Sequence, residues 1–588
     1  MTIEPEFDIL KDSETLKELV SIYDSESFIK HIADIISLIQ PTRIPFKPFV
    51  GLDSPLIQLF YIANLNITSS PDKIKKQNIE YEEWFEIVKY AIRIKAGYYD
   101  ALLPTANDDE VEFYEKYKIV MPVFVDYFNS GTLNFEEQEI AKIESIFLPF
   151  DNEIETKYGL KIKDFLDIYT SIDNYIQRNF NLPLQIIASD SEAKAFWDKQ
   201  KKDNIPPDNW SYTGDNGNIK RLIELFEKPL DRYSLKKSDL LKDYPNNEKL
   251  ETFLSIFSIQ RAENAEYKFY TSPVSLLRKP IFNIDNENFI ILEIKQIITA
   301  VYRELTEFGK TIEDRFYKRR GKFLQESIVV VLKQFFGESA LIFNEYKTSK
   351  LKKGQDVLLL YKGLALIIEA KAGREPEPRR DANVKESFKT ITTYFKKNIQ
   401  KAYEQADRIK ELFDIGEDFD IIDDSEKILY NIRTNKYHSV FSIIITLDKF
   451  REAQINLNHL LELNEGDENY PISLCIDDFE TLLLALKKRR TNIPSLIKYL
   501  KNRQELQGRI DANDELQIWA DFLLNDNFKV PDNPNLHYVP SVLGADLFDD
   551  LYESGLGFKR EKFMEQKKNK QIFSHREYIK KHYAQHAV

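Results

Sequence analysis

The sequence contains a single cysteine, Cys475, among 588 residues. One cysteine excludes an intrachain disulfide and any zinc cluster built from several thiolates. The chain also lacks the uninterrupted apolar run of about 18 residues that a transmembrane helix needs. Its N-terminal segment, MTIEPEFDILKDSE, has neither the basic nor the apolar region of a secretory signal. These absences predict a protein that has no membrane partner and lies in a reducing, cytoplasmic compartment.

Positive charge is also in deficit, with 82 Lys and Arg against 96 Asp and Glu and a net charge of −14. An acidic total normally argues against a nucleic-acid partner, because phosphates repel it. The distribution of charge changes this inference. From Lys310 to Glu411 the chain carries 23 Lys and Arg against 14 Asp and Glu, so this segment is at +9 and the remainder is at −23. A cationic patch of this kind is what phosphate-backbone binding requires.

The chain is long enough for three or more folding units at roughly 100–200 residues each. Residues 1–305 are predicted to be mainly α-helical, because apolar residues recur at three- and four-residue spacing in segments such as Glu136–Phe147. A polar loop is predicted at 200–218. Residues 310–490 alternate helix and strand patterns, which favours an α/β domain. Residues 491–588 are predicted to form a helical C-terminal extension with a charged tail.

The most informative stretch is a predicted β-hairpin. Two apolar runs, Val357–Tyr361 and Leu364–Ala370, flank the pair Lys362-Gly363. A two-residue loop that contains glycine is the simplest connection between two such strands. In this register Asp356 and Glu369 face each other directly across the hairpin.

The repulsion between two facing carboxylates beside an apolar run has to be offset. Facing residues have Cβ atoms about 4.5–5.5 Å apart, and like charges at that distance are destabilising. Asp356 and Glu369 therefore need a cation or a raised pKa. Lys371 lies two residues beyond Glu369, on the same face of the strand. Because hard oxygen ligands suit Mg²⁺, the pattern predicts a Mg²⁺ site, with Mn²⁺ as an alternative.

The motif is similar to that of a known superfamily. Asp356, twelve intervening residues and Glu369-Ala370-Lys371 on a strand resemble the signature of the PD-(D/E)XK nucleases, although Gln355 stands where the usual Pro would be. The resemblance covers roughly residues 310–490. It implies a restriction-endonuclease-like α/β core with a mixed sheet.

The resemblance also points to residues outside the hairpin. The segment Arg320–Glu326 resembles the first core helix, whose Glu often joins the metal site. At about 100° per residue, Glu326 lies off the apolar stripe of that helix and could face a neighbouring site. The segment Gln400–Ala406 is similar to the helix that supplies a glutamine near the active site in many members. Gln405 is the first choice for this role and Gln400 is the second.

Residue roles follow from the resemblance. The implied ligands of one or two metal ions are Asp356, Glu369 and the backbone carbonyl of Ala370, and Glu326 is expected to help bind a second metal or to orient a water. Lys371 is expected to position or deprotonate the attacking water, or to stabilise the developing negative charge. Gln405 is expected to support Lys371 or the phosphate. The basic residues around this motif are nucleic-acid contact candidates: Arg319, Arg320, Lys350, Lys352, Lys353, Arg374, Arg379 and Arg380.

The residues and the resemblance together predict a Mg²⁺-dependent nuclease that hydrolyses phosphodiester bonds, with DNA favoured. Analogy with bacterial nucleases that carry a similar partner region suggests a role in defence against foreign DNA. Two alternatives stay open. The same site could cleave RNA, or the nuclease fold could be an inactive scaffold that binds a protein. A homodimer, or a protein partner bound through residues 1–305, is compatible with the pattern.

Overall fold

The computed structural model describes most of the chain. The described residues are 7–37, 52, 55–104, 109–129, 135–351, 353–373, 383–423, 425–450, 452–489, 493–512, 514–525, 529–533, 536–541, 544, 546–559 and 561. The helices are α1 (Ile9–Ser21), α2 (Ser25–Ser37), α3 (Pro55–Ile67), α4 (Tyr81–Ala101), α5 (Glu110–Asn129), α6 (Glu136–Phe147), α7 (Asp151–Tyr158), α8 (Ile162–Ser189), α9 (Ser191–Lys202), α10 (Gly217–Glu227), α11 (Lys237–Asp243), α12 (Asn247–Phe257), α13 (Ile294–Thr311), α14 (Glu313–Phe336), α15 (Val384–Phe395), α16 (Lys401–Asp414), α17 (Glu452–Ile455), α18 (Ile476–Lys488), α19 (Ile493–Glu505), α20 (Glu515–Leu524) and α21 (Asp546–Glu553). The strands are β1 (Ser234–Lys236), β2 (Ser258–Ile259), β3 (Ile281–Asn283), β4 (Asn288–Ile291), β5 (Leu341–Thr348), β6 (Gln355–Tyr361), β7 (Leu364–Lys371), β8 (Phe419–Ile422), β9 (Ile428–Ile432), β10 (Ser439–Thr446) and β11 (Ile472–Cys475).

The chain divides into two compact units. The first contains Met1–Ala101 and Asn129–Thr311, and the second contains Leu102–Phe128 and Ile312–Val588. The helical pattern of residues 102–128 places them with the N-terminal region in the sequence, whereas in space they belong to the second unit. None of the described helices combines the length and the apolar character that a membrane span needs.

The first unit is mainly helical, as its apolar periodicity predicts. Helix α6 has the predicted bounds, and α8 buries one face that includes Ile168, Tyr169 and Ile172. The predicted polar loop lies between α9 and α10. This unit also contains a mixed four-stranded sheet in the order β1-β4-β3-β2, which the sequence does not predict. Its strands have only two to four residues, too few for a periodic pattern.

The second unit is built on a mixed seven-stranded sheet in the order β11-β10-β7-β6-β5-β8-β9. Strands β7, β10 and β11 are parallel, and the remaining neighbours are antiparallel. This architecture confirms an α/β class for the region. Helices α19, α20 and α21 lie in the described part of the C-terminal extension, joined by segments without regular structure. Residues 562–588, which contain much of the predicted charged tail, lie outside the described residues.

The centre of the sheet is fully apolar. Residues Val357–Leu360 of β6 and Leu364–Ile368 of β7 are each at most 2% exposed, which is typical of strands covered on both faces. Helix α16 packs on β7 and β10, and its Ala406 and Ile409 join the same core as Leu358. Helix α14 packs against β5, β6 and β7. These two helices bring polar side chains to the end of the hairpin at which the apolar runs stop.

Candidate active site

The β6–β7 hairpin has the predicted register. Tyr361 faces Leu364 and Val357 faces Ile368. The loop residues Lys362 and Gly363 have φ angles of +43° and +82°, and positive φ at both positions is what a tight two-residue hairpin turn requires. The β6–β7 pairing ends at Val357 and Ile368. Asp356 and Glu369 are the next residues of the two strands, and the Asp356 N–H lies 3.5 Å from Glu369 Oε1 at the open end.

Asp356 is held by two hydrogen bonds. The backbone N–H of Ala370 donates to its Oδ2 at 2.7 Å, and the side-chain amide of Gln325 donates to its Oδ1 at 2.6 Å. Ala370 lies on the facing strand and Gln325 on α14, so both neighbouring elements fix the carboxylate. The side chain of Asp356 remains 20% exposed, which leaves it accessible from solvent.

Glu369 is almost completely buried, at 1% exposure. Lys371 Nζ lies 3.3 Å from its Oε2. In the amide orientation that satisfies its neighbours, Gln355 donates to Glu369 Oε1 at 3.1 Å and to the backbone oxygen of Gln405 at 3.2 Å. The pKa of the Glu369 carboxyl is raised to about 8, mainly because the side chain is buried and also because the charge of Asp356 lies nearby, whereas Lys371 opposes the rise. Lys371 therefore does not fully offset the cost of ionising Glu369 in this buried position.

Lys371 and Gln405 are brought together. Lys371 Nζ donates to Gln405 Oε1 at 2.8 Å and lies 3.9 Å from Asp356 Oδ2. Gln405 reaches this point from α16, which follows a π-helical turn at Lys396–Gln400. A π turn re-aims the side chains beyond it and is frequent at functional sites.

Gln400, the second choice for the glutamine role, has different partners. Its side-chain amide donates to the backbone oxygen of Glu462 at 2.9 Å and accepts from the Glu462 N–H at 3.0 Å. Gln400 therefore holds the loop after α17, whereas Gln405 contacts Lys371.

In the structure, Glu326 contacts basic residues of its own helix. This side chain is 46% exposed and lies 3.4 Å from Arg319 and 3.9 Å from Lys322. The preceding residue, Gln325, makes the contact with Asp356 instead. One residue is a rotation of about 100° on a helix, so the two side chains point in different directions. The sequence pattern points to a carboxylate on this helix and contains no signal for an amide.

Arg320 also differs from its prediction as a nucleic-acid contact. It is 2% exposed, its Nη2 lies 2.8 Å from Asp448 Oδ2, and its Nε donates to the backbone oxygen of Ala372 at 3.3 Å. A buried guanidinium held in this way cannot reach a phosphate on the surface. Instead, Arg320 connects α14 to the backbone of Ala372, just beyond Lys371, and to Asp448, just beyond the end of β10.

The other basic candidates are distributed as follows. Arg319 lies beside Glu326, Lys350 forms an ion pair with Glu417, and Lys353 is exposed. Lys352, Arg374, Arg379 and Arg380 lie outside the described residues.

Replacing Arg320 by Met should lower the free energy of unfolding of the second unit by about 2–4 kcal/mol, because Asp448 would lose a buried partner. Urea unfolding followed by circular dichroism measures this loss. Arg319→Met is the matched control, since its ion pair with a half-exposed acid is expected to contribute about 0–1 kcal/mol. Equal losses in the two variants would contradict the structural role of Arg320.

Within the described residues, no group of three or more His, Cys, Asp and Glu side chains is arranged to hold a metal ion. The oxygens available at the hairpin end are those of two carboxylates and of the neighbouring backbone and amides. No protein-family model, curated protein or solved structure matches the chain. The chemistry of the site therefore has to follow from its own residues.

Proposed function

We propose that the chain is a Mg²⁺-dependent nuclease of the PD-(D/E)XK type, with a restriction-endonuclease-like core, that hydrolyses phosphodiester bonds in DNA. The observation that carries the proposal is the cluster of Asp356, Glu369, Lys371 and Gln405 at the open end of the β6–β7 hairpin. Two facing carboxylates at the end of an apolar sheet oppose folding. A cation bound between them would offset this repulsion.

The donor set fits Mg²⁺. Mg²⁺ prefers hard oxygen ligands, keeps several waters, and is commonly bound through one or two carboxylates together with substrate phosphates. Asp356 and Glu369 would supply the carboxylates, and the carbonyl of Ala370 would supply a further oxygen. The raised pKa of Glu369 supports this fit, because a nearby cation would offset the burial of its charge. When bound, the metal lowers the pKa of its water and neutralises charge on the phosphate.

Lys371 would act on the reacting groups directly. An ammonium group has three hydrogen-bond donors, and Gln405 and Glu369 engage two of them. The third can hold the attacking water or a phosphate oxygen. Gln405 would keep the ammonium group in this position, and the bond from Arg320 to the Ala372 carbonyl would fix the backbone beyond it. Lys371 would thus stabilise the negative charge that develops as water attacks phosphorus.

DNA is favoured over RNA as the substrate, and a cleavage assay separates the alternatives. The full chain is incubated with plasmid DNA and with single-stranded and duplex RNA, each with Mg²⁺, Mn²⁺ or EDTA. We expect DNA cleavage with both metals and none with EDTA. Cleavage of RNA alone would show that the substrate is RNA and would leave the proposed active site unchanged. Absence of cleavage in every condition would contradict the enzyme proposal and favour the protein-binding scaffold.

We extend the proposal to defence against foreign DNA. Expression of the chain in bacteria should lower the number of plaques formed by a DNA phage, and an Asp356→Asn variant should remove this protection. Equal plaque numbers with and without the wild-type chain would leave a DNA nuclease with a different role.

A further inference from the structure

Helix α14 extends beyond the end of the sheet at which the two acids lie. Its Phe336 contacts Tyr361 at the closed end of the β6–β7 hairpin, where the turn lies, with ring centroids 5.4 Å apart. Its Gln325 reaches Asp356 at the open end. From Gln325 to Phe336 the helix is about 17 Å long, and β6 covers about the same distance between Asp356 and Tyr361. The part of α14 from Glu313 to Gln325 therefore continues past the open end.

This projecting part of α14 has a buried side and an exposed side. Phe316, Arg320 and Phe323 are at most 8% exposed, and at about 100° per residue they lie roughly opposite to the direction of Gln325. Lys318 is exposed and lies within about 20° of the direction of Gln325, about 10 Å further along the helix. The side of α14 that continues outward from the acids is therefore turned to solvent and carries a lysine.

Gly321 lies between Lys318 and Gln325 on the same side of the helix. Glycine in the interior of a helix is destabilising relative to alanine. Apart from the adjoining backbone of its own helix, none of the described residues comes within 4 Å of a Cβ atom built on Gly321, so packing against them does not require a glycine. Glycine is also used where a ligand approaches the backbone closely. Gly321 therefore provides a place at which a ligand can lie against the helix.

Helix α16 provides the other side of the same opening. Its Gln405 contacts Lys371, and the residues that follow, Ala406 and Ile409, pack in the core of the sheet. Lys401 lies one turn before Gln405, within about 40° of its direction, and is exposed. This lysine therefore stands about 6 Å further along the helix than Gln405, on the side away from the sheet.

We infer that the DNA strand to be cut runs between the projecting parts of α14 and α16. Lys318 and Lys401 bind phosphates on either side of the scissile one, and the strand lies against Gly321. The inference rests on the proposed function and assigns the substrate contacts of that site. Lysine binds phosphate as a point charge, and phosphate contacts position a nucleic acid without reading its sequence. We therefore expect an affinity for DNA that depends steeply on salt and little on sequence.

The test measures DNA binding rather than cleavage. A fluorescently labelled DNA duplex of mixed sequence is titrated with the full chain in EDTA at a series of NaCl concentrations, and anisotropy gives the affinity. Lys318→Gln and Lys401→Gln should each lower the affinity roughly eightfold at 0.1 M salt and reduce the slope of log K against log salt by about 0.9. Gly321→Leu should weaken binding at every salt concentration with the wild-type slope, because it removes space and no charge.

Lys333→Gln and Lys436→Gln are the matched controls. Both lysines are exposed, and both lie towards the closed end of the hairpin. Lys333 is in the last turn of α14, and the backbone oxygen of Lys436 lies beside Gly363. Each control removes the same charge as the test variants and should keep the affinity and the salt slope of the wild type.

Equal effects of all four lysine substitutions, in a chain that binds DNA, would overturn this path for the strand and leave the proposed nuclease intact, since cleavage is measured separately. A wild type that cleaves DNA without binding the duplex in this assay would overturn it as well. A folded Gly321→Leu variant with wild-type affinity would show that the strand does not lie against α14. If that variant does not fold, Gly321→Ala takes its place and should raise the urea midpoint while weakening DNA binding.

Discussion

Replacing Asp356 by Asn should lower the rate of Mg²⁺-dependent DNA cleavage by at least about 1,000-fold, equivalent to roughly 4 kcal/mol in the activation barrier. The substitution removes one of the two carboxylates that would hold the metal. The shape of the site should survive, because the Asn oxygen can accept from Ala370 N–H, and the amide of Gln325 can turn to accept from the new NH₂ group. Initial rates on plasmid DNA at saturating Mg²⁺, with circular dichroism to confirm folding, measure the effect.

Glu326→Gln is the control variant, because the sequence pattern and the structure predict different effects for it. The resemblance to PD-(D/E)XK nucleases assigns Glu326 to the metal site, whereas the structure directs it towards Arg319 and Lys322. We expect this variant to cleave within about twofold of the wild-type rate, since surface pairs of this kind contribute little. Losses of similar size in Asp356→Asn and Glu326→Gln would contradict this placement of α14.

The hairpin was predictable because its register follows from a few strong local constraints. The two apolar runs fix which residues are buried, and glycine at the second loop position fixes the turn, so the pairing of Tyr361 with Leu364 follows. Once the register is set, it also predicts that Asp356 and Glu369 face each other, because the residues pair in order along the two strands. Lys371 follows from the alternation of side chains along a strand.

The contacts made by α14 could not be predicted in the same way. Whether Gln325 or Glu326 reaches Asp356 depends on how the helix is rotated against the sheet, and a rotation of one residue exchanges them. Arg320 was equally ambiguous, because a cluster of basic residues on one helix does not reveal which of them is buried. Its partner Asp448 lies 128 residues away in sequence, and only the fold brings the two together.

The stability of the metal-free protein should depend on pH through Glu369. Glu369 has a raised pKa of about 8, against an ordinary value near 4.5 in the unfolded chain. Between these two values the folded state binds a proton that the unfolded state has lost, so the free energy of unfolding falls as pH rises. Because each unit of pKa is worth about 1.4 kcal/mol, the loss across this window is on the order of 4 kcal/mol.

Glu369→Gln should remove this loss, because its side chain is neutral at every pH. In the presence of EDTA we expect the variant to match the wild type near pH 5 and to exceed it by about 2–4 kcal/mol at pH 9. Urea unfolding at a series of pH values measures the difference. Glu338→Gln, at an exposed position before β5, is the control and should follow the wild type throughout, since an exposed carboxylate has no desolvation cost to remove.

Mg²⁺ should have the opposite effect on the difference in stability between the wild type and Glu369→Gln. A ligand that binds only the folded state stabilises it in proportion to the logarithm of its concentration, so Mg²⁺ should raise the stability of the wild type and leave Glu369→Gln unchanged. The carboxylate that destabilises the empty site would then be the one that the metal requires. If Glu369→Gln is less stable than the wild type at pH 9 in EDTA, the buried carboxylate is a structural partner of Lys371. In that case the buried carboxylate would no longer indicate a cation between the two acids.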